Sequence, residues 1–418
     1  MNPFSALDWQ KKIYLSGFSG KLPLVKIDPL HLEEAAKAVM SPQAYAYIAG
    51  GAGVESTMRS NRSVFESCKI VPRMLRNVGE RDISIELFGK KLPTPYLLSP
   101  IGVLEMVHPD ADLAVGRAAA QLGVPYIFSN QASRPMEEVA TAMGNSPRWF
   151  QLYWSKSNEL VKSFVQRAEK CGCDAIVVTL DTTMLGWRTR DLELAYLPFL
   201  EGKGIAQYTS DSVFQQMMDE ADAQENAKRD ITWQTLRGLV SMVNRYPGKG
   251  FFKKLKSGKP IKAEQKFIST YPCTTWYDLK FLREQTKLPV LLKGILHPDD
   301  ARKAVDYEMD GIVVSNHGGR QVDGSVSTFE MLPEIVNAVN GRIPVIIDSG
   351  IRGGADAYKC LAMGAKAVCI GRPYVYGLAL AGELGVYEVL QNFIADFELT
   401  MGLAGCRNVS EITRETLR

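Results

Sequence analysis

The chain holds only four histidines, so a search for an imidazole base is short. His317 lies in SNHGGR, where the apolar, β-branched run GIVVSNH (311–317) gives way to a glycine-rich turn that also carries Arg320. An imidazole in that position can exchange a proton near neutral pH, and a guanidinium beside it can hold an anion. His297, in GILHPDDA, also follows an apolar run, but the Pro-Asp-Asp after it reads as the start of a helix. His31 and His108 lie outside such run ends and read as surface or packing residues.

Other polar residues recur where apolar runs end. Tyr153 follows the third run, Thr179 and Asp181 lie on the fourth, Lys293 closes the fifth, and Arg188 follows in GWR. Such groups are poor core material, so their clustering favours a site. Arg188 and Arg320 have planar forks suited to a carboxylate; either alone serves equally well in a structural ion pair, but two near one histidine imply an anionic substrate. Asp181 is suited to orient His317 and to stabilise its protonated form. Lys293 would place positive charge beside a group that becomes anionic on accepting electrons. Two glycine-rich turns, DSGIRGG (348–354) and IGRP (370–373), let backbone N–H groups approach a phosphate, with Arg352 and Arg372 supplying charge. Together they imply a phosphorylated ligand.

The elements that must position these residues are short apolar runs from residue 95 onward. They read PYLLSP, PYIFSN, WFQLYW, DAIVVTL, LPVLLKG, GIVVSNH, IPVIIDSG and AVCIGR. Most lack alternation, as expected for strands buried on both faces of a parallel sheet. Amphipathic stretches such as NELVKSFVQRAEKCG and PDDARKAVDYEMD separate many of them. The pattern predicts an α/β fold, a (β/α)8 TIM barrel with reactive groups at the C-terminal strand ends. The rival, an open doubly wound sheet, lacks its G-x-G-x-x-G after the first strand. Residues 1–90, including HLEEAAKAV and AYAYIAGGAG, are expected to form an N-terminal helical cap. The barrel is expected over 91–400, and 401–418 form a C-terminal tail. The gap between the fourth and fifth runs predicts a long insertion, 191–275, as a lid. Within it RYPGKGFFKKLKSGKPIKAEQK is basic, read as a solvated lid segment, with a membrane-surface or partner contact as the alternative.

Bulk properties narrow the class further. The 418 residues carry a net charge of only +3, which gives no electrostatic case for nucleic acid. The seven cysteines, Cys68, Cys171, Cys173, Cys273, Cys360, Cys369 and Cys406, are odd in number and scattered, and read as reduced thiols. Cys171 and Cys173 have no second pair, so no metal site is expected. No run is long enough to span a bilayer and no signal core opens the chain, so the expected location is the cytoplasm.

SNHGGRQ, with DSGIRGG and GRP downstream, FQLY upstream and LLKG between, resembles the FMN-dependent L-2-hydroxy acid oxidases and dehydrogenases from about Tyr45 to the C-terminus. PIGV (100–103), LGWRTRDL (185–192) followed by LPFL, HPDDA (297–301) and the long insertion look like the lactate 2-monooxygenase branch. The resemblance implies roles residue by residue. Tyr47 and Tyr153 match the tyrosines that hydrogen-bond substrate. His317 matches the base, Asp181 its aspartate, and Arg188 and Arg320 the carboxylate-binding arginines. Lys293 matches the lysine beside the flavin. Ser129, Gln151 and Thr179 match polar contacts to the ring, and Pro100, Ile101, Gly102 and Ser315 are placed against the cofactor with them. Asp348, Gly350, Arg352, Gly371 and Arg372 match the ribityl and phosphate end. Gln131 stands where glycolate oxidases line the substrate pocket with an aromatic residue, and Ile101-Gly102 replaces their Thr-Ala pair; both departures put glycolate itself in question and leave the preferred side chain open.

The implied function is oxidation of a small L-2-hydroxy acid, L-lactate foremost, with O2 as acceptor. The products are acetate, CO2 and water, or a 2-oxo acid and peroxide. A dehydrogenase using a quinone or protein acceptor, a non-catalytic flavin-binding barrel and a barrel for another phosphorylated ligand are the alternatives. The resemblance also implies a homo-oligomer, a tetramer or larger.

Overall fold

The computed structural model describes residues 5–220, 232–268 and 274–418. Eight parallel strands close into a barrel in chain order: Tyr96–Leu98, Tyr126–Phe128, Arg148–Leu152, Ile176–Thr179, Val290–Lys293, Gly311–Val314, Val345–Ile347 and Ala367–Ile370. The eighth pairs with the first, Val368 opposite Tyr96. The (β/α)8 barrel read from the apolar runs is the fold.

Alternation along the strands explains both the runs and the site. Outward residues such as Leu98, Phe150, Val178, Leu292 and Ile347 join the large core beneath the helices. Inward residues Leu97, Ile127, Trp149, Val177, Leu291, Val313 and Ile346 form a second cluster inside the barrel. Both faces are therefore apolar over the lower strands. Two residues further along, the inward position turns polar: Ser129 after Ile127, Gln151 after Trp149, Thr179 after Val177, Lys293 after Leu291, Ser315 after Val313, and Asp348 after Ile346. One period-2 rule thus gathers six polar side chains at the C-terminal mouth.

The other end is plugged. A hairpin of Ile85–Leu87 and Lys90–Leu92, which the sequence patterning did not reveal, sends Ile85, Leu87 and Leu92 into the inner cluster. The final residues run back across this region rather than trailing away. Ile70 bridges Leu417, Asp82 bridges Asn408, and the Val71 N–H donates to the Thr416 carbonyl at 2.8 Å.

The N-terminal segment forms helices at Ala6–Phe18, Pro29–Val39, Pro42–Ala49 and Ser56–Ser67. Asp28 and Ser41 cap the second and third of these ahead of a proline in the first turn. The third ends at Gly50, which brings Tyr47 and Ile48 to the barrel mouth.

Between the fourth and fifth strands the chain builds its own helices, among them Ser212–Glu220, Trp233–Arg245, Phe251–Ser257 and Lys259–Ile268. An aromatic chain fastens them to the barrel wall. Phe199 meets Phe267 at 5.0 Å between ring centroids, Phe267 meets Tyr208 at 4.9 Å, and Tyr208 meets Phe164 of the helix Asn158–Lys170 at 5.0 Å. Arg167 of that helix pairs with Asp211 at 3.1 Å. The basic stretch falls on the last two of these helices. Phe252 is exposed on one, while Phe267, at its far end, is buried. Cys273 lies outside the described residues; the other six cysteines are unpaired thiols. Among the described residues no helix is long and apolar enough to cross a membrane.

Trp149 fills the barrel interior at 3% exposure and lies 5.7 Å from the Phe88 ring. Trp149→Ala is expected to lower stability by about 3–5 kcal/mol, as emptying a large core site does. Urea unfolding of the variant measures this, and a loss below about 1 kcal/mol would show that the barrel centre collapses freely.

Candidate active site

His317 sits in a strained turn. Its φ is +57°, and Gly318 and Gly319 follow at +67° and +75°, all left-handed. Only the first of the three bears a Cβ, and it is the one whose side chain is needed. A Cβ on Gly319 would stand 2.8 Å from the Met58 backbone nitrogen, so the turn is pressed against the helix Ser56–Ser67. The His317 N–H donates to Ser315 Oγ at 3.1 Å, and the Gly318 N–H to Ser349 Oγ at 3.0 Å. These bonds hold a conformation that costs of order 1–3 kcal/mol.

The imidazole is oriented from one side. His317 Nδ1 lies 2.7 Å from Asp181 Oδ1, and Thr182 Oγ1 donates to the same oxygen at 2.9 Å. Asp181 stands just past the fourth strand rather than on it. With Nδ1 engaged, Nε2 is the nitrogen left for a substrate. Burial pushes the His317 pKa below its ordinary value, against the pull of Asp181. Burial alone would raise Asp181, but His317 and Lys293 outweigh it and bring the carboxyl down to about 2. The resting pair is a carboxylate and a neutral imidazole, the state a general base requires.

Lys293 extends the network across the barrel. Its Nζ donates to Ser315 Oγ at 2.8 Å and lies 3.2 Å from Asp348 Oδ2 and 3.8 Å from Asp181 Oδ2. Burial opposes its charge, but Asp348 and Asp181 prevail and raise its pKa.

Around this network a cavity opens at the barrel mouth. Its wall brings together His317, Lys293, Arg188, Arg320, Tyr47, Tyr153, Gln131, Pro100, Ile101, Gly102, Ser129, Asp348, Gly350, Arg352, Gly371 and Arg372, from all parts of the chain. Asp181, Gln151, Thr179 and Ser315 stand behind that wall. Gln151 donates to Thr179 Oγ1 at 3.1 Å and accepts from the Asn130 N–H at 3.1 Å, so it ties neighbouring strands together.

The cations differ in what they have left to give. Arg372 donates from Nε, Nη1 and Nη2 to the carbonyls of Ile48, Gly318 and Gly50, at 2.9–3.0 Å. Arg320 donates from Nη1 to the carbonyls of Tyr47 and Gly50 and lies over the Tyr47 ring. These two guanidiniums cap the carbonyl end of the helix Pro42–Ala49 and so hold Tyr47 in place. Among the described residues, Nε and Nη2 of Arg320 make no hydrogen bond. Arg188 reaches Gln321 Oε1 at 3.2 Å. Burial, with Arg188 and Arg372 nearby, brings Arg320 down to about 9, and burial brings Arg352 down to about 10. Such crowding of positive charge is relieved by an anion in the cavity.

The phosphate end fits a phosphorylated cofactor. Gly371 is the N-cap of the helix that begins at Arg372 and breaks at Ala381 and Gly382; it has no side-chain cap, which leaves the helix N-terminus open to an anion. A Cβ at Gly371 would meet only Ile101 and Ser99, at 3.7–3.9 Å, and backbone can therefore approach a ligand there. Arg352 commits a single hydrogen bond from its guanidinium, to the Ile351 carbonyl.

A parallel barrel whose mouth joins a carboxylate-oriented imidazole, spare guanidinium donors and a phosphate end defines an FMN-dependent α-hydroxy acid oxidoreductase. The chain belongs to the FMN-dependent dehydrogenase family, whose model matches residues 36–418, and FMN is its cofactor. It is 41% identical to an L-lactate oxidase of Lysinibacillus sphaericus, over 92% of this chain and 91% of that one. It is 39% identical to the FMN-dependent alpha-hydroxy acid dehydrogenase qulF of Penicillium citrinum, over 100% of this chain and 97% of the other. A mandelate oxidase solved with (S)-4-hydroxymandelic acid superposes with a TM-score of 0.77 at 37% identity, covering 94% of this chain and 98% of that one.

Several lining residues escaped sequence reasoning. Ser349 and Thr182 adjoin Asp348 and Asp181 but carried no signal beyond adjacency. Phe199, within the insertion, lines the cavity although nothing in its local sequence marked it.

Asp181→Asn removes the charge that stabilises the imidazolium. Turnover is expected to fall roughly 10²–10⁴-fold with FMN retained. In the wild-type enzyme kcat/KM is expected to decline as acid protonates His317, below the ordinary histidine pKa. Because Asp181 raises the His317 pKa, Asp181→Asn should move that limb to still lower pH. A limb that does not move would show that His317 is not the titrating base.

Proposed function

We propose that the chain oxidises a small L-2-hydroxy acid, foremost L-lactate, with His317 as base and O2 as final acceptor. The observation that carries this is the His317 imidazole, held by Asp181 at 2.7 Å and lining the same cavity as Arg188 and Arg320. Spare donors of Arg320 and Arg188 hold the substrate carboxylate, assisted by Tyr47 and Tyr153. His317 Nε2 accepts a proton as the substrate loses two electrons, and Asp181 stabilises the imidazolium that results. FMN, when bound, supplies the two-electron acceptor. Ser129 lies on the cofactor wall with Pro100, Ile101 and Gly102, and Lys293 keeps a positive charge beside it. Arg352, Gly350 and Gly371 hold the phosphate end. Arg372 contributes charge while fixing the cap helix.

The fate of the product follows from how tightly the mouth is closed. We assign the enzyme to the lactate 2-monooxygenase type. The insertion contributes Phe199 to the cavity lining, and a 2-oxo acid retained there meets peroxide before it escapes. Pyruvate and peroxide then give acetate, CO2 and water. The L-lactate oxidase relative supports the substrate.

Product analysis under air tests this. L-Lactate is expected to bleach the flavin band without oxygen and to yield acetate with it. Pyruvate with stoichiometric free peroxide would assign an oxidase instead, and no bleaching would remove L-lactate as substrate. His317→Gln should keep bound FMN and lose roughly 10²–10⁴-fold in flavin reduction rate.

A further inference from the structure

We propose that Phe199, carried by the insertion, sets the length of side chain the cavity accepts, favouring methyl-sized over aryl 2-hydroxy acids. The inference rests on the function proposed above and deepens it. Among the described residues of 191–275, Phe199 alone lines the cavity.

Its place in the wall follows from close approaches. A Cβ built on Gly204 would lie 3.2 Å from Phe199 Cε1, 2.6 Å from Val103 Cγ2 and 3.1 Å from the Gln131 carbonyl oxygen. One built on Gly102 would lie 2.8 Å from Gln131 Cβ. Phe199, Gln131 and Gly102 line the cavity, and Gly204 and Val103 pack against them. None of the groups assigned to the carboxylate or to the proton is among these five. Carbon 2 of the substrate bears four substituents. Once the carboxylate meets the arginines, the hydroxyl faces His317 and the hydrogen is directed toward the electron acceptor, the side chain is left with the unassigned lining, of which Phe199 is the largest apolar member.

The ring is also held rigidly, which a selective wall requires. Phe199 is 6% exposed and backed by Phe267, itself buried against Tyr208. Glu105 clamps the surrounding loops. It pairs with Arg245 of the insertion, accepts from the Gly204 N–H at 3.2 Å, and donates its own N–H to Ser133 Oγ at 3.0 Å. The loops after the first and second strands and the insertion thus share one carboxylate-bearing residue. Swinging the ring aside for a bulky side chain would break this clamp or the aromatic stack behind it.

The test uses holoenzyme of the wild type, Phe199→Ala and Phe199→Leu. Two quantities are read: kcat/KM for L-lactate against (S)-mandelate, and dissociation constants for pyruvate against benzoylformate from perturbation of the flavin spectrum. Phe199→Ala is expected to shift both ratios at least tenfold toward the aryl compound, with Phe199→Leu in between. Ratios within twofold of wild type in either folded variant would overturn the proposal. If Phe199→Ala does not fold, Phe199→Leu carries the same decision. If no hydroxy acid reduces the wild-type flavin, the function proposed above fails instead, and the 2-oxo acid ratio still decides the role of Phe199.

Discussion

The site depends on a line of buried charge that runs across the barrel mouth from His317 through Asp181 and Lys293 to Asp348. Four successive strands, the fourth to the seventh, contribute to it. Each member would be costly to bury alone, because removing an ion from water loses several kcal/mol. Together the charges compensate, and the compensation fixes geometry. Lys293 stays charged because two carboxylates face it. Asp181 stays ionised because a lysine and an imidazole face it. The imidazole can then stay neutral at rest and still be stabilised when it takes a proton. Basicity, orientation and the fixed positive charge beside the cofactor are thus consequences of one arrangement.

The arginines show a division of labour that residue type alone does not reveal. Both Arg320 and Arg372 reach the carbonyl end of the helix Pro42–Ala49, yet they differ in reserve. Arg372 spends every nitrogen on backbone, whereas Arg320 spends one and keeps others. The first therefore acts mainly as a tie between the cap and the barrel, and the second is a tie that keeps donors facing the cavity. Tyr47 gains its position from the same bonds. The N-terminal cap is accordingly part of the site, joined to the catalytic turn through Gly318 and Arg372.

Much of this was legible from the chain because barrel strands obey a period of two. Tyr153, Thr179 and Lys293 could be placed at strand ends from the chain alone, since a polar residue at the end of a buried run has few other places to go. His317 was legible for the same reason, reinforced by the glycines that its turn requires. What could not be read were contacts made by chain folding back on itself. The plugging hairpin is three residues per strand, too short for a periodic signal. Phe199 is one aromatic residue among many in an insertion, and only its stacking on Phe267 turns it toward the cavity. Arg372 could be placed beside its glycines, but its bonds to the carbonyls of Ile48 and Gly50 could not, because those residues lie more than 300 residues away in sequence.

The same crowding of charge makes the cofactor part of the fold's stability. Arg320 and Arg352 are pulled down to about 9 and about 10 with no carboxylate paired to either guanidinium among the described residues. A folded chain that gathers these cations at one mouth carries repulsion that the unfolded chain does not. A bound phosphate and a substrate carboxylate supply the missing negative charge to the native state alone. Ligand binding therefore stabilises this protein by mass action, as any ligand of the native state does, and also by removing a repulsion built into the site. The barrel interior tolerates that repulsion because its lower layers, from Leu97 to Ile346, are closely packed and apolar. Apolar burial fills the lower barrel and the layer beneath the helices, leaving the mouth to hold the charge arrangement.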